Sequence, residues 1–366
     1  MKKSILILLT LFGVSSARAD VAGLKNDPAY QGKTQLTASA TDYATAKGVL
    51  PLVSSLPASA FDNNALPMGL ITTVGEDGHG PLVAYKGGAA QLVDSNTLEQ
   101  MRGNPDGQPA PDAVGGGGLQ FTSSQVFPPA ADTFYPWSTT GKLWFTINGA
   151  WYICSGTMVK PAIVVTAGHC VHSGNGTSSG WYANWQFVPA YRSGAAPYGI
   201  WTNWAFANTT GTWYSGGGGV PNDADYAVIV FGRNAAGYRI GDYTGWMGWQ
   251  YPNLIGRHVT VLGYPANLDS GVINHRVDGA VNQGSGYTGV WGSDMTGGSS
   301  GGSVVFNFRV GYSGSPSGWE FNEDRIVSVV SYGHTDTSMM VQGGSQFDSR
   351  FQTLLNNTCA SFPWAC

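Results

Sequence analysis

Hydrophobic residues in the larger, C-terminal part of this chain occur in short runs that alternate with turns of glycine, asparagine, serine and proline. The runs are rich in β-branched and aromatic residues, which favour strands over helices. Examples are residues 143–147, 162–165, 227–231, 259–262 and 326–330. From about residue 126 onward this spacing predicts an all-β structure, either a sandwich or barrels.

One helical pattern interrupts this texture near the C-terminus. Phe347, Phe351, Leu354 and Leu355 recur at i, i+4, i+7 and i+8, which places them on one face of a helix. Asp348 lies near the start of this helical pattern, and the two asparagines at 356–357 could end the helix. We therefore predict a C-terminal helix over about residues 347–357.

Residues 20–125 have a different composition, rich in alanine, glycine, proline, aspartate and serine and poor in aromatic residues. The proline-rich stretch 104–111 and the glycine run 115–118 predict a linker and not a regular element. We interpret residues 20–125 as a pro-segment followed by this linker, with a mature N-terminus between about 118 and 127. The alternative is an N-terminal domain that stays attached to the principal domain, residues 126–366.

The first residues are typical of an export signal. Two lysines precede the apolar stretch 5–14, and a small-x-small cleavage site follows at 17–19. The apolar stretch is too short for a membrane anchor. We expect a signal peptide over residues 1–19, secretion to the periplasm or the exterior, and no membrane partner.

Charge and cysteine content narrow the candidate functions further. The chain has 18 basic and 22 acidic residues and no basic block, which argues against a nucleic-acid partner. Four cysteines in an exported chain predict disulfides. Cys154 with Cys170 could join a strand pair and Cys359 with Cys366 could close a short loop, but three pairings are open. The sequence has no metal-ligand spacing, so we expect neither metal nor cofactor.

Three fragments suggest chemistry, in the order histidine, aspartate, serine. His169 follows an apolar run and precedes a cysteine, Asp225 immediately precedes the run 226–230, and Ser300 lies in the glycine cluster 297–302. A serine hydroxyl needs a base to become a nucleophile, and the base needs a carboxylate to orient it. Glycines beside the serine let a substrate backbone approach closely. The pattern predicts a catalytic triad for acyl transfer.

Alternatives remain for two members of the triad and for the fold. Asp223 is a rival carboxylate in a turn, and Ser299 also satisfies a G-x-S-x-G pattern through its flanking glycines. That pattern suggests an esterase of the α/β-hydrolase type, with Asp324 and His334 as its acid and base, but the alternating helices of such a fold are missing. A non-catalytic binding protein that uses the many tryptophans is a further alternative.

The strings around these residues resemble those of the chymotrypsin-like serine endopeptidases. The similar strings are Cys154-Ser155-Gly156-Thr157, residues 165–170, residues 225–228 and Gly298-Ser299-Ser300-Gly301-Gly302. The Thr-Ala-Gly-His-Cys form and the lead-in 294–298 are most similar to the bacterial glutamyl-endopeptidase branch. The resemblance covers roughly residue 127 to the C-terminal helix. It implies two six-stranded antiparallel β-barrels, about residues 140–235 and 245–345, with the site in the cleft between them and a Cys154–Cys170 disulfide.

The resemblance also implies residue roles. The serine before two glycines, Ser300, would be the nucleophile, and the backbone N–H groups of Gly298 and Ser300 would form the oxyanion hole. Residues 330–333 are similar to the segment that pairs with the substrate backbone, and Ser331 would hydrogen-bond to Asp225. The substrate-binding residues that we expect on this basis are Asp294, Met295, Val330, Ser331, Tyr332 and Gly333.

The chain departs from the family pattern at several of these positions. Ser299 stands where many relatives have an aspartate that pairs with the newly freed N-terminal amine. Val330 and Met295 stand where glutamate-specific relatives have histidine and threonine. Asp294 lies where trypsin-like relatives keep a cation-binding carboxylate, and the glutamyl branch has an aspartate there too. We expect a monomeric, secreted serine endopeptidase, made as a precursor, that hydrolyses protein or peptide substrates through an acyl-enzyme.

Overall fold

The structure, a computed structural model, describes residues 23–25, 37–62, 73–93, 112–251, 254–309 and 323–366. The predicted signal peptide and most of the predicted linker lie outside the described residues. None of the helices within those ranges combines the length and the apolar character needed to cross a membrane.

The N-terminal part consists of short elements laid on the rest of the chain. They are β1 (Gly23–Lys25), α1 (Ala40–Thr45), β2 (Lys47–Gly48), β3 (Leu52–Val53), β4 (Val74–Glu76), β5 (Ala90–Gln91), β6 (Asp112–Gly115) and β7 (Leu119–Gln125). Helix α1 begins with a capping box, in which Ser39 Oγ accepts from the Asp42 N–H at 3.2 Å and Asp42 Oδ2 accepts from the Ser39 N–H at 2.7 Å. Except for the β6–β7 hairpin contact, the strands of this part pair with strands that occur later in the chain.

The first curled sheet follows. Its own strands are β8 (Thr140–Ile147), β9 (Ala150–Lys160), β10 (Ile163–Thr166), β11 (Ala183–Pro189), β13 (Trp204–Thr209) and β14 (Ala227–Phe231). The short strand β12 (Ala195–Ala196) pairs with β5, and the helices α2 (Gly211–Tyr214) and α3 (Ile240–Thr244) lie in connections. The strand order is β1-β13-β14-β10-β9-β8-β11, with β2 added beside β9.

The second curled sheet uses the remaining strands. These are β15 (Gly248–Tyr251), β16 (His258–Gly263), β17 (His275–Ala280), β18 (Asn282–Gln283), β19 (Thr288–Gly292), β20 (Ser303–Phe306), β21 (Arg325–His334) and β22 (Val341–Gln346). The main path is β18-β19-β22-β21-β20-β16-β17-β7-β6, and β3 and β15 both pair with β21. Two curled antiparallel sheets and one C-terminal helix confirm the predicted double-barrel fold class.

The apolar runs that predicted strands form the cores of these sheets. Strand β14 is buried at each of its five positions, as is expected for a strand covered on both faces. One hydrophobic cluster joins the first sheet to the C-terminal helix, and a second cluster, with Val261, Val304 and Val330, fills the second sheet. The ends of β10, β14 and β20 therefore emerge from rigid, close-packed layers.

The C-terminal helix, α4 (Ser349–Ser361), differs from its predicted bounds. Asp348 is its N-cap and accepts a hydrogen bond from the Arg350 N–H at 2.8 Å, so the helix begins two residues later than predicted. It continues past the asparagine pair to residue 361 because Thr358 is also buried, with its hydroxyl donating to the Leu354 carbonyl at 2.8 Å.

The predicted linker is wrong over residues 112–125. The sequence predicts a linker there, but the segment forms the β6–β7 hairpin, and β7 pairs in antiparallel fashion with β17. Leu119, Phe121 and Ser123 are buried while the residues between them are exposed. This alternation is that of a strand with one face on the core, and it prevails over the preceding glycines.

Two disulfides connect the four cysteines, in the one of the three open pairings that contains the Cys154–Cys170 bond implied by the family resemblance. Cys154 in β9 is bonded to Cys170, and Cys359 in α4 is bonded to Cys366. The first disulfide joins β9 to the short 3₁₀ turn Gly168–Cys170 that follows β10.

Candidate active site

Three side chains from distant parts of the chain form one continuous line of hydrogen bonds. Ser300 Oγ lies 2.8 Å from His169 Nε2, and His169 Nδ1 lies 2.7 Å from Asp225 Oδ2. A carboxylate only accepts hydrogen bonds, so Nδ1 carries the proton and Nε2 is free to accept from the serine hydroxyl. This is the geometry that activates a serine as a nucleophile.

Each member of this line is held at the end of a buried strand. His169 lies in the 3₁₀ turn after β10, Asp225 precedes β14, and Ser300 precedes β20. The backbone of Gly168, the residue before the histidine, lies too close to Asp225 for a larger residue. A Cβ there would lie 2.8 Å from Asp225 Oδ1. Glycine at this position lets the turn approach the carboxylate.

Asp225 is fully buried and accepts three hydrogen bonds. Its Oδ1 accepts from the His169 backbone N–H at 2.8 Å, and its Oδ2 accepts from His169 Nδ1 and from Ser331 Oγ, the latter at 2.6 Å. A buried charge is tolerated when it is hydrogen-bonded in this way. The contacts fix both the carboxylate and the imidazole. The rival carboxylate, Asp223, instead accepts from the Tyr287 N–H at 2.8 Å.

The rival serine, Ser299, is engaged elsewhere. Its hydroxyl donates to the Thr296 carbonyl at 2.7 Å and accepts from Gln342 Nε2 at 2.8 Å. The other end of that amide, Gln342 Oε1, accepts from Ser293 Oγ at 2.8 Å. The structure therefore brings Ser300, and not Ser299, within hydrogen-bonding distance of His169.

The acid and base of the alternative esterase bond to other groups. Asp324 Oδ1 accepts from the Arg309 N–H at 2.8 Å, and His334 Nδ1 accepts from the Asp336 N–H at 3.0 Å. Burial raises the pKa of Asp324 to about 6. The described residues give neither group a contact with a glycine-flanked serine.

The loop before Ser300 contains a glycine with a left-handed backbone conformation. Gly298 has φ of +99°, in the region that favours glycine. Its carbonyl accepts from Ser155 Oγ at 2.9 Å, and the Ser155 N–H donates to the Ser300 carbonyl at 2.7 Å. Ser155 is a positioning residue for which the sequence offered no signal beyond its place in the family-like string after Cys154.

The expected substrate-binding residues precede this loop in sequence or lie in β21. Met295 and Val330 are buried in the second-sheet cluster, and Tyr332 is buried in a separate cluster. Both carboxylate oxygens of Asp294 are buried without a hydrogen-bond partner among the described residues. The Gly333 N–H lies on the segment of β21 expected to pair with a substrate backbone.

His172 has a structural environment. Its Nδ1 accepts from the Gly174 N–H at 2.9 Å, its Nε2 donates to the Thr177 carbonyl at 2.8 Å, and its ring stacks on Tyr214. Burial lowers the pKa of His172, which favours this neutral form. Within the described ranges, the His, Cys and carboxylate atoms close enough to hold a metal are those of Cys154, His169 and Cys170, and the two sulfurs are bonded to each other.

The sequence did not predict that the N-terminal segment 47–53 reaches the site. The Gly298 N–H, an expected oxyanion donor, donates to the carbonyl of Val49 at 3.0 Å. Residues 47–53 contain no motif and no hydrophobic period. The strand residues with which they pair lie more than a hundred positions away along the chain, so no local pattern predicts this contact.

Known proteins resemble this chain in sequence and in fold. The glutamyl endopeptidase of Bacillus licheniformis is 34% identical over 121 residues, which are 32% of this chain and 34% of that protein. The extracellular metalloprotease of Bacillus subtilis is 27% identical over 149 residues, 39% of this chain and 44% of that protein. The chain thus matches less than half of the length of these curated relatives. No family model matches the chain.

The match to one solved structure extends over nearly the whole length of that protein. The crystal structure of protease Anisep from Arthrobacter nicotinovorans is 31% identical, with a TM-score of 0.51, and the match covers 61% of this chain and 96% of that one.

Proposed function

The chain belongs to the chymotrypsin-like serine proteases, near the glutamyl-endopeptidase branch, and from this premise we propose that it is a secreted serine endopeptidase made as a precursor. The observation that carries the proposal is the unbroken line Ser300–His169–Asp225, with separations of 2.8 and 2.7 Å. The substrates are proteins or peptides.

In the first half of the reaction, Ser300 Oγ attacks the carbonyl carbon of the scissile bond while its proton passes to His169 Nε2. Asp225 stabilises the imidazolium through the Nδ1 hydrogen bond. The carbonyl electron pair moves to oxygen, and the N–H groups of Gly298 and Ser300 stabilise the oxyanion. Collapse of the intermediate breaks the C–N bond, and the leaving amine takes the proton from His169.

The second half repeats these steps with water. The acyl group is bonded to Ser300 Oγ, and His169 removes a proton from the attacking water. The second tetrahedral intermediate collapses to release the carboxylic acid, and the proton returns to Ser300. His169 thus acts once as base and once as acid in each half-reaction, and no cofactor takes part in these steps.

Secretion is supported by the N-terminal signal pattern and by the two disulfides, which persist in oxidising compartments. The curated relative from Bacillus subtilis is itself named as extracellular. The length of chain that precedes the protease-like part supports synthesis as a precursor.

The test is covalent labelling by a fluorophosphonate, followed by turnover of a peptide library. We expect an adduct at Ser300 after processing, and none in His169→Ala. Ser300→Ala should lower turnover by about a millionfold because the nucleophile is lost, with unchanged circular dichroism.

Ser299→Ala is the matched control. It removes a hydroxyl one residue away, so it should keep the Ser300 adduct. An adduct at Ser299, or full activity of Ser300→Ala, would contradict the assignment of the nucleophile. Absence of labelling in every form of the protein would favour a binding protein on a protease fold.

A further inference from the structure

Residues 47–53 cross the groove between the two sheets. Lys47 and Gly48 of β2 pair with Tyr152 and Ile153 of β9, and Leu52 and Val53 of β3 pair with Gly333 and His334 of β21. One extended segment thus bridges the first sheet and the second sheet, and passes the candidate catalytic line on the way. We call residues 47–53 the cleft segment.

The centre of the cleft segment lies on the oxyanion loop. The Val49 carbonyl accepts from the Gly298 N–H at 3.0 Å, and the Val49 N–H donates to the Ile153 carbonyl at 3.0 Å. Gly298 is a donor that the proposed mechanism reserves for the oxyanion. Ser300 itself is 0% exposed. A substrate carbonyl cannot use this donor while Val49 holds it.

The far end of the cleft segment occupies the strand edge expected to bind substrate. The Gly333 N–H donates to the Pro51 carbonyl at 2.9 Å, and the Thr335 N–H donates to the Val53 carbonyl at 2.9 Å. Backbone pairing of this kind is how an extended peptide adds to a sheet edge. The cleft segment therefore takes the place of a bound peptide on both sides of the catalytic line.

The direction of the cleft segment is the reverse of that of a substrate. In a substrate, the residue that bears the scissile carbonyl also puts its side chain into the specificity pocket. Here the carbonyl belongs to Val49, whereas it is the next residue, Leu50, that packs on the cluster with Met295 and Val330. The segment also runs parallel to both β9 and β21.

The reversed chain direction explains why the cleft segment is not cleaved as a substrate although it lies beside the nucleophile. If Ser300 attacked the Val49 carbonyl, the leaving nitrogen would be that of Leu50, which continues along β21. The retained acyl part would lie on β9. The acyl part and the amine part of the peptide are thus on opposite sides from those of a substrate whose specificity residue lies against Met295 and Val330.

Contacts on either side fasten the cleft segment. Before it, Tyr43 of α1 packs edge-on against Trp144 at 5.3 Å, and its carbonyl accepts from Trp144 Nε1 at 3.3 Å. After it, the Ala60 carbonyl accepts from Asn282 Nδ2 at 3.0 Å. Both anchors belong to the same chain, so the segment competes with substrate at the high effective concentration of a tethered group.

We propose that residues 47–53 are a built-in inhibitor, which fills the substrate groove in reverse and blocks the oxyanion hole until it is displaced. The inhibition rests on the proposed endopeptidase function, but the occupancy of the groove does not. Only those uncleaved molecules in which the segment has left the groove can react. The apparent reactivity of the uncleaved chain is therefore the reactivity of the open form multiplied by the fraction of molecules in that form.

Gly48→Leu tests the proposal in the full exported chain. A Cβ on Gly48 would lie 2.5 Å from the Gly297 carbonyl oxygen and 2.7 Å from the Gly298 nitrogen, so the larger residue forces the segment out. We expect fluorophosphonate labelling of Ser300 to become roughly ten- to a hundredfold faster than in the parent chain. The control is Gly88→Leu, where a Cβ meets nothing within 4 Å, and its labelling rate should match that of the parent.

Amide hydrogen exchange gives a readout that needs no activity. In the Ser300→Ala chain the N–H groups of Gly298, Gly333 and Thr335 should be protected, and Gly48→Leu should remove that protection. Leu50→Asp, which places a charge against the apolar cluster, is a second displacing variant in case Gly48→Leu does not fold.

The outcomes separate the two proposals. Equal labelling rates in parent and displaced chains, or unprotected amides in the parent, would overturn the inhibitor. Protected amides in a parent chain whose displaced variants never label would support occupancy of the groove and refute the endopeptidase.

Discussion

Lys142 is a buried cation without a carboxylate partner among the described contacts. Its Nζ donates to the Gly271 carbonyl at 2.7 Å and lies 5.0 and 5.2 Å from the ring centres of Trp144 and Tyr191. The ring faces stabilise the charged form, but burial prevails and lowers the pKa of Lys142 to about 7. The side chain spans the interior between β8 and the loop before β17.

Replacement of this lysine should change how stability depends on pH. Between pH 7 and 10.5 the unfolded chain holds the proton and the folded chain releases it, so stability rises with pH, by up to about 1.4 kcal/mol per unit. Lys142→Met should flatten this rise. Denaturant unfolding of the Ser300→Ala protein at pH 7 to 10 measures it, with the exposed Lys86→Met as control. Equal slopes in the parent and Lys142→Met would contradict the burial argument.

Strands and turns determine how accurately the histidine is placed. Cys170 ends the turn that carries His169, and its disulfide to Cys154 ties that turn to β9, which also borders the groove. The second disulfide, Cys359–Cys366, closes a short loop at the end of α4, away from the triad residues in sequence. The two covalent links therefore differ in what they support.

Removal of each disulfide should separate stability from activity. Either double alanine variant should lose about 2–3 kcal/mol of folding free energy, because each link closes a short loop. Only the Cys154→Ala/Cys170→Ala protein should also lose turnover, about tenfold, since a small misplacement of a catalytic group is costly. Thermal unfolding and kcat measure the two effects. A similar loss of kcat in the Cys359→Ala/Cys366→Ala protein would show that His169 does not depend on the first link.

The sequence predicts elements well where their signals are local. The apolar runs around β10, β14 and β20 specify strands, and the residues at their ends, His169, Asp225 and Ser300, carry distinct motifs. Strand β7 also has a local signal, the alternation of Leu119 and Phe121, which the neighbouring glycine run obscured. The start of α4 depended on the Asp348 cap and its C-terminal end on burial of Thr358, neither of which the periodic pattern shows.

The cleft segment could not be predicted in this way. Strands β2 and β3 have two residues each, too few to display a period, and their partners lie in β9 and β21. Pairings over such separations are decided by the complete fold and not by local preference. Only the assembled sheets reveal that Val49 meets Gly298.

Neutral hydrogen bonds within the second sheet hold the segment that we expect to line the substrate pocket. Ser299, at the position where the family resemblance implies an aspartate in many relatives, is fully buried and linked through Gln342 of β22 to Ser293. These neutral hydrogen bonds fasten the wall 293–299 to the second sheet. The contact needs no newly freed N-terminal amine, so displacement of the cleft segment should suffice for activation.

The uncleaved chain should be active once the cleft segment has been displaced. The full Gly48→Leu protein should hydrolyse peptides, and acetylation of its N-terminus should leave kcat/KM unchanged. Gln342→Ala in the same chain should lower kcat/KM by about ten- to a hundredfold, because it removes one hydrogen bond from each of the buried Ser293 and Ser299 hydroxyls. The control is Gln352→Ala on α4, which removes the acceptor of the Tyr251 hydroxyl of β15 and should have little effect. If the uncleaved chain gained activity only after proteolysis had created a new N-terminus, the neutral network would not be what holds the pocket.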